Sequence, residues 1–301
     1  MSILERLETY ATVYENEPMS KHTTYRVGGQ VAYYCLPKDL TSCLRIIDIL
    51  KEENLPYFVM GRGSNVLFGD AFFNGAIINL DNTMNEYFFE PDGTCTVEAG
   101  CSLINLSVQA MKNGLSGLEF ASGIPGSVGG ALFMNAGAYK SDMSNIVKEV
   151  HVYKDGSLVW MKKDELDYQY RHSIFQSHRD WSIVAAKLQL EPGDSEQIST
   201  LMDSRRERRM DTQPLDKPSA GSTFRNPEQM PAWKVIDDLG LRGHQIGGAQ
   251  ISEKHSNFIV TVSEDAKAQD IHDLITLIKT RAKETFGIEM KTEVEYMNWP
   301  K

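Results

Sequence analysis

Two glycine-rich segments carry the residue types that can hold phosphate oxygens. Gly61-Arg62-Gly63-Ser64-Asn65-Val66 follows the short apolar run 57–60, and Ala121-Ser122-Gly123-Ile124-Pro125-Gly126-Ser127-Val128-Gly129-Gly130 leads into Met134-Asn135-Ala136-Gly137-Ala138-Tyr139. Glycine lets a backbone approach a ligand closely and aim its N–H groups at it, and Ser64, Asn65, Ser122 and Ser127 add side-chain donors. Seven of the 23 glycines (114, 117, 123, 126, 129, 130 and 137) fall in this second region. Neither segment is the dinucleotide fingerprint, because Val66 stands where the third glycine of G-x-G-x-x-G must let a helix pack on a strand. No G-x-x-x-x-G-K-[ST] phosphate loop occurs either. Each segment alone also reads as a tight turn; together they suit a backbone laid along a flat or extended cofactor.

The elements that must position these segments interleave helix and strand. Leu44, Ile46, Ile47 and Leu50 recur at helical spacing behind the capping candidates Asp39 and Thr41, which predicts a helix over 39–54. Asp92-Gly93 and Asp155-Gly156 sit between strand-like runs and predict two hairpins, 87–98 and 149–161. Residues 102–113 form an amphipathic helix stopped by Gly114. A strand over 183–190 precedes a charged helix ending in Arg205-Arg206-Glu207-Arg208-Arg209, whose basic run reads as a solvated face with mixed ion pairs. Gln213–Gly221 is the best linker in the chain, so the main boundary falls near Arg209. Beyond it come a helix over 230–239, a glycine-rich turn at 243–248, a strand near 258–262 and a long helix ending at Gly287. A last strand alternates Ile288, Met290, Thr292, Val294 and Tyr296 with charged residues. The class is mixed α and β, without an internal repeat.

Composition narrows the function. The 301 residues suffice for about two domains, and 31 Lys+Arg against 41 Asp+Glu give a net charge of −10. Such a field repels nucleic acid and anionic lipid, so an anionic substrate needs a local cluster of donors. The four cysteines, Cys35, Cys43, Cys95 and Cys101, form no CxxC pair and read as reduced structural thiols. Histidines and cysteines do not cluster at metal-ligand spacing. Residues 1–17 lack the apolar core of a secretion signal, and no run approaches a membrane span, so a soluble cytoplasmic protein is expected.

Several motifs then occur in one order: His22-Thr23-Thr24-Tyr25-Arg26-Val27-Gly28-Gly29, Gly61–Leu67, Gly117–Tyr139, Tyr170-Arg171-His172-Ser173, the KPSAGSTFRNP run 217–227, Gly247–Phe258 and Glu293. In this order and over nearly the whole chain, the sequence resembles the UDP-N-acetylenolpyruvoylglucosamine reductase family. The resemblance implies an α+β fold: an FAD-binding domain of the vanillyl-alcohol-oxidase type over 1–209, built of two α/β subdomains with a boundary near 70, and a smaller α/β substrate-binding domain over 210–301. It implies FAD, NADPH as co-substrate, and a small-molecule substrate, UDP-N-acetylglucosamine enolpyruvate; charge and hydropathy exclude nucleic-acid and membrane partners, and the sequence does not set the oligomeric state, a monomer being one expectation. FAD contacts are expected from Gly61, Arg62, Gly63, Ser64, Asn65, Val66, Ser122, Gly123, Ile124, Pro125, Ser127, Gly129, Gly130, Asn135 and Gly137. The family's proton donor maps to Ser222 and its paired arginine and glutamate to Arg171 and Glu293, while Tyr170, Arg225, Asn226 and His255 are substrate-side candidates.

Taken singly, none of these residues announces chemistry. Ser222 alone reads as a turn or cap serine, Arg171 as a surface arginine and His255 as a solvated or core histidine. Nothing but the family pattern selects Glu293 over Glu289 or Glu295. The chain also departs from the family. No tyrosine occurs between Arg171 and Ser222, so it resembles the branch without the tyrosine-bearing lid, and Arg225 becomes the first candidate for gripping the substrate diphosphate. Arg225 replaces the more frequent Lys, Lys140 a usual Gly, and Gln30-Val31 a common Pro-Ala. The competing readings are an oxidase of the same FAD fold and a non-catalytic nucleotide-binding module. Since neither His nor Cys occurs from Gly114 to Tyr139, FAD is expected to be held without a covalent bond.

Overall fold

The helix Leu40–Glu52 forms where its apolar period predicts, with Asp39 accepting the Ser42 N–H at 2.7 Å as its N-cap. Its buried face, Cys43, Ile46, Ile47 and Leu50, belongs to the larger of two hydrophobic cores. A computed structural model describes residues 1–81 and 83–300. They form two compact units: Met1–Glu15, Ala32–Arg62 and Asn74–Glu207 in the first, and Asn16–Val31, Gly63–Phe73 and Arg208–Lys301 in the second.

The first unit holds two sheets. One has the strand order Ala11–Pro18, Gln30–Pro37, Phe73–Asn79, Tyr57–Met60, the last two parallel. The other is a five-stranded antiparallel sheet, Ser157–Lys162, Val147–Lys154, Ser182–Gln189, Thr94–Glu98, Tyr87–Phe89. Both expected hairpins lie in this second sheet; Asp155 and Gly156, at φ 51° and 76°, make the primed turn that matches strand twist. The first sheet is completed by Phe73–Asn79, so the changeover between sheets falls after residue 79, not near 70. The helix Leu103–Lys112, capped by Ser102, buries Leu103, Leu106 and Ala110.

The second unit packs the helices Ala232–Asp238 and Ala268–Phe286 with a three-stranded antiparallel sheet, Gln245–Ile246, Ala249–Ile251 and Ile259–Thr261. The glycine-rich turn at 243–248 is thus the bend of a hairpin: a Cβ on Gly247 would come within 2.4 Å of Asp270, whose Oδ2 accepts the Gly248 N–H at 2.9 Å. Val66–Phe68 pairs in parallel with Glu295–Met297, and this long-range pairing draws residues 63–73 out of the continuous 1–209 domain suggested by the sequence.

Two further expectations are corrected. Among the described residues, the strand over 288–296 is paired only at Glu295–Met297 and at a single bridge, Thr292 to Phe224. Ile288, Met290 and Val294 are buried as the alternation requires, but the facing segment bends at Thr223 and offers no continuous ladder. The basic run of the helix Ser195–Thr212 also differs: among the described residues Arg205, Arg206 and Arg208 form no ion pair, and Arg205 lies over the Tyr139 ring at 4.6 Å. No described helix is long and apolar enough to cross a membrane.

Candidate active site

The sequence-expected residues divide between the units, with Gly61–Val66 changing over after Arg62. In the first unit the strand Tyr57–Met60 runs into Gly61, and the helix Val128–Met134 starts against it. Ser127 is that helix's N-cap, its Oγ accepting the Gly130 N–H at 3.3 Å. A Cβ on Gly61 would sit 2.1 Å from Ser127 Oγ and 2.8 Å from Ser127 Cβ. Glycine is therefore required for the strand end to meet the cap. Asn79 donates from Nδ2 to the Gly61 carbonyl at 2.7 Å and accepts the Asp81 N–H at 3.0 Å, while Asp81 accepts from Arg62 Nε at 2.6 Å. Asn79 and Asp81 were missed by the sequence reading; the available signal was a buried polar residue closing the apolar strand Phe73–Asn79.

The loop before the helix is laid against the chain at 99–103. Val128 and Gly129 N–H groups donate to the Cys101 and Ala99 carbonyls at 2.9 and 2.8 Å, and Leu103 N–H to the Gly126 carbonyl at 3.1 Å. Among the described residues the N–H groups of Gly123, Gly126 and Ser127 meet no protein acceptor. Three unengaged backbone donors among small residues fit a phosphate-bearing cofactor. Ser122 Oγ donates instead to the Glu119 carbonyl at 3.0 Å. Cys101, buried beside this loop, has its thiol pushed up to about 11, burial outweighing the pull of Arg62.

The far end of the same helix holds Arg171. Asn135, at φ 45°, is the C-cap, and its buried amide donates to the Gln169 carbonyl at 2.9 Å and accepts the Ser144 N–H at 3.0 Å. Asn135 thus fastens two loops. Gln169 and His172 exchange reciprocal backbone hydrogen bonds at 3.1 Å, leaving Tyr170 and Arg171 at the tip of a tight turn. Arg171 has φ 54°, lies 5.1 Å from the centre of the exposed Tyr170 ring, and donates from Nη2 to the Gly137 carbonyl at 2.8 Å. Gly137 opens a hairpin, Gly137–Ala138 with Ser141–Asp142, so close that a Cβ there would be 2.5 Å from Asp142 Cβ. Its turn residues, Tyr139 and Lys140, both have positive φ, 54° and 64°.

In the second unit Gly63, at φ 60°, passes so near the His22 carbonyl that a Cβ would lie 2.2 Å from it. Asn65 donates from Nδ2 to the Glu293 carbonyl at 3.0 Å, and its own carbonyl accepts the Glu295 N–H at 2.9 Å. The Glu293 N–H donates to the Thr223 carbonyl at 2.8 Å, and the Arg225 N–H to the Lys291 carbonyl at 2.9 Å. The structure therefore brings Ser222, Arg225, Asn65 and Glu293 onto neighbouring segments of one small backbone hydrogen-bond network. A bend at Thr223 buries Thr223 and Phe224 together and leaves Ser222 and Arg225 half-buried; among the described residues the Ser222 hydroxyl donates to no protein acceptor. Asn226 accepts the Ala232 N–H at 3.0 Å, fastening the start of the helix Ala232–Asp238. His255 accepts the Asn257 N–H at Nδ1 (3.3 Å) and lies edge-on to Phe258. Burial, and then the Arg242 charge, hold its imidazole below the usual histidine value.

Residues 31–162 match a family model described as an FAD binding domain, and residues 213–297 one described as UDP-N-acetylenolpyruvoylglucosamine reductase, C-terminal domain. A UDP-N-acetylenolpyruvoylglucosamine reductase of Bacillus licheniformis is 43% identical over 97% of this chain and 96% of its own length. The chain belongs to the UDP-N-acetylenolpyruvoylglucosamine reductase family. It is an FAD-dependent oxidoreductase. The crystal structure of the Thermus caldophilus UDP-N-acetylenolpyruvylglucosamine reductase superposes with TM-score 0.80 at 32% identity, covering 97% of this chain and 100% of that one. A berberine bridge enzyme variant, at 15% identity and TM-score 0.50 over 64% of this chain and 43% of its own, shares the fold alone. The α+β class, with an FAD-binding domain of the vanillyl-alcohol-oxidase type, is therefore that of the reductase family.

Proposed function

We propose that the chain reduces UDP-N-acetylglucosamine enolpyruvate to UDP-N-acetylmuramate with NADPH, a step of peptidoglycan precursor synthesis, as a monomer in the cytoplasm. Residues 1–209, Tyr170 and Arg171 excepted, serve FAD and residues 210–301 the substrate. Bound FAD supplies a two-electron carrier that accepts hydride from NADPH and returns it to C3 of the enolpyruvyl ether.

The remaining work falls to the chain's own residues. The N–H groups of Gly123, Gly126 and Ser127, with Gly61–Val66, Ile124, Pro125, Gly129, Gly130 and the Asn135–Gly137 turn, hold the cofactor. Hydride addition at C3 leaves the carbon beside the substrate carboxylate electron-rich. Arg171 stabilises that charge as a permanently cationic planar fork, and Glu293, in its protonated form, donates to the same carboxylate. The Ser222 hydroxyl delivers the proton. Arg225 grips the diphosphate, with Tyr170, Asn226 and His255 lining the substrate.

The observation that carries this reading is the Ser222 hydroxyl: among the described residues it donates to no protein acceptor, and it sits one residue from the carbonyl that holds Glu293. In an anaerobic experiment, NADPH bleaches the purified flavoprotein and UDP-N-acetylglucosamine enolpyruvate restores the colour. Ser222→Ala leaves bleaching unchanged and slows restoration by about 10²–10⁴-fold. A wild-type flavin restored by oxygen alone, or equal loss of both half-reactions in the variant, refutes it.

A further inference from the structure

We propose that Asn257, for which the sequence suggested no role, is a positioning residue that sets the proton-delivering segment Ser222–Arg225 against Glu293. The inference rests on the proposed function. Its basis is the way Asn257 spends its polar atoms. Its backbone carbonyl accepts the Thr223 N–H at 2.8 Å, its Oδ1 accepts the Phe224 N–H at 3.0 Å, and its Nδ2 donates to the Phe224 carbonyl at 2.9 Å. One buried side chain thus occupies both backbone groups of the residue two positions after Ser222.

On its other side the same segment is held by residues 291–293, through Thr223 to Glu293, Arg225 to Lys291 and the bridge of Phe224 to Thr292. Asn257 therefore plays the part of a third strand where no strand exists. Without it, the buried N–H and carbonyl of Phe224 would lose their partners, at a cost that favours movement of the segment. The clamp is itself anchored: Ser256 Oγ donates to the Trp233 carbonyl at 2.8 Å, and the Asn257 N–H donates to His255 Nδ1. Ser222 lies one residue beyond the clamped pair, so its hydroxyl follows any shift there. A displacement near 1 Å in a reacting group costs on the order of 10²-fold in rate.

The test uses the holoenzyme and two variants, Asn257→Ala and Asn257→Asp. A protonated carboxyl matches the amide, with one donor for the Phe224 carbonyl and one acceptor for its N–H, whereas the carboxylate only accepts. Burial raises the carboxyl's titration into the accessible range. Both variants retain FAD and are bleached by NADPH at the wild-type rate. Restoration by UDP-N-acetylglucosamine enolpyruvate is slowed about 10–100-fold in Asn257→Ala, and in Asn257→Asp its rate relative to wild type rises about tenfold per pH unit as the carboxyl takes up its proton. A pH-independent, wild-type rate in Asn257→Asp overturns the positioning role, as does parallel loss of both half-reactions at every pH. A wild-type flavin that the substrate fails to restore overturns the proposed function and this inference together. Should Asn257→Ala fail to fold, the pH rescue of Asn257→Asp decides alone.

Discussion

Replacing Gly61 by alanine tests whether the end of the strand Tyr57–Met60 and the cap of the helix Val128–Met134 are packed as tightly as the geometry says. The new methyl would meet Ser127 Oγ at 2.1 Å and Ser127 Cβ at 2.8 Å. Rotating the hydroxyl away relieves the first contact and breaks the cap to the Gly130 N–H, which costs about 1 kcal/mol. The Cβ contact survives any rotation of the serine, so the two segments must also separate, an overpacking cost of about 1–3 kcal/mol. Together the loss is about 2–4 kcal/mol, or about 5–15 °C in Tm for a unit of this size. Thermal unfolding of the apo protein reads this without involving the cofactor. The cycle with Ser127→Ala sharpens it: the single serine variant loses about 1 kcal/mol, but in the Gly61→Ala background the cap is already gone, so the double variant is no less stable than Gly61→Ala. Strict additivity, or an unchanged Tm in Gly61→Ala, would refute the packing argument.

Other consequences are equally direct. Lys140→Gly stabilises the protein, because a residue with a Cβ at φ 64° carries about 1–2 kcal/mol of strain and glycine's extra unfolded-state freedom returns about 0.4–1 kcal/mol; a rise of about 1–4 °C in Tm checks it. Arg171→Lys keeps FAD bound but lowers turnover about 10–100-fold, the worth of a charge-assisted hydrogen bond that a point charge does not replace; a wild-type steady-state rate sinks this. His255 has its folded-state value lowered by burial and by Arg242, so the unfolded chain takes up the proton first as pH falls. Its stabilising contribution is present above the ordinary histidine value and is lost below it. Urea midpoints for wild type and His255→Gln therefore converge as the pH falls below about 6.5, and a constant difference counts against it.

Much of the scaffold was legible because its signals are local. Asp39 reads as a cap and accepts the N–H of Ser42, and Gly287 ends its helix at φ 67°. What was not legible depends on partners distant in sequence. The pairing of Val66–Phe68 with Glu295–Met297 leaves no trace in the period of either segment, so the second unit looked continuous. The alternation from Ile288 to Tyr296 correctly marked an extended, half-buried chain, but alternation does not say whether a neighbour is present to complete a ladder. The site behaves similarly: motif order selected Ser222, Arg171 and Glu293, while Gln176, which donates to the Arg171 carbonyl, and Asn257, which holds both backbone groups of Phe224, are polar side chains that no local pattern marks.

Arg171 shows why such partners matter. A non-glycine residue at φ 54° is strained, and it persists only where the surroundings over-determine it. They do so from four directions: Gln169 and His172 close the turn, Asn135 holds the Gln169 carbonyl, Gln176 donates to the Arg171 carbonyl at 3.0 Å, and Ser173 Oγ donates to the Phe133 carbonyl at 2.6 Å. Each bond ends on the last turn of the helix Val128–Met134, on its cap or on the Arg171 loop itself. Arg171, to which the proposed function gives the substrate carboxylate, is thus set by the C-terminal end of the same short helix whose N-terminal loop carries the N–H groups that meet no protein acceptor among the described residues. One seven-residue element therefore fixes Arg171 and the N–H groups of the 123–127 loop in a single frame.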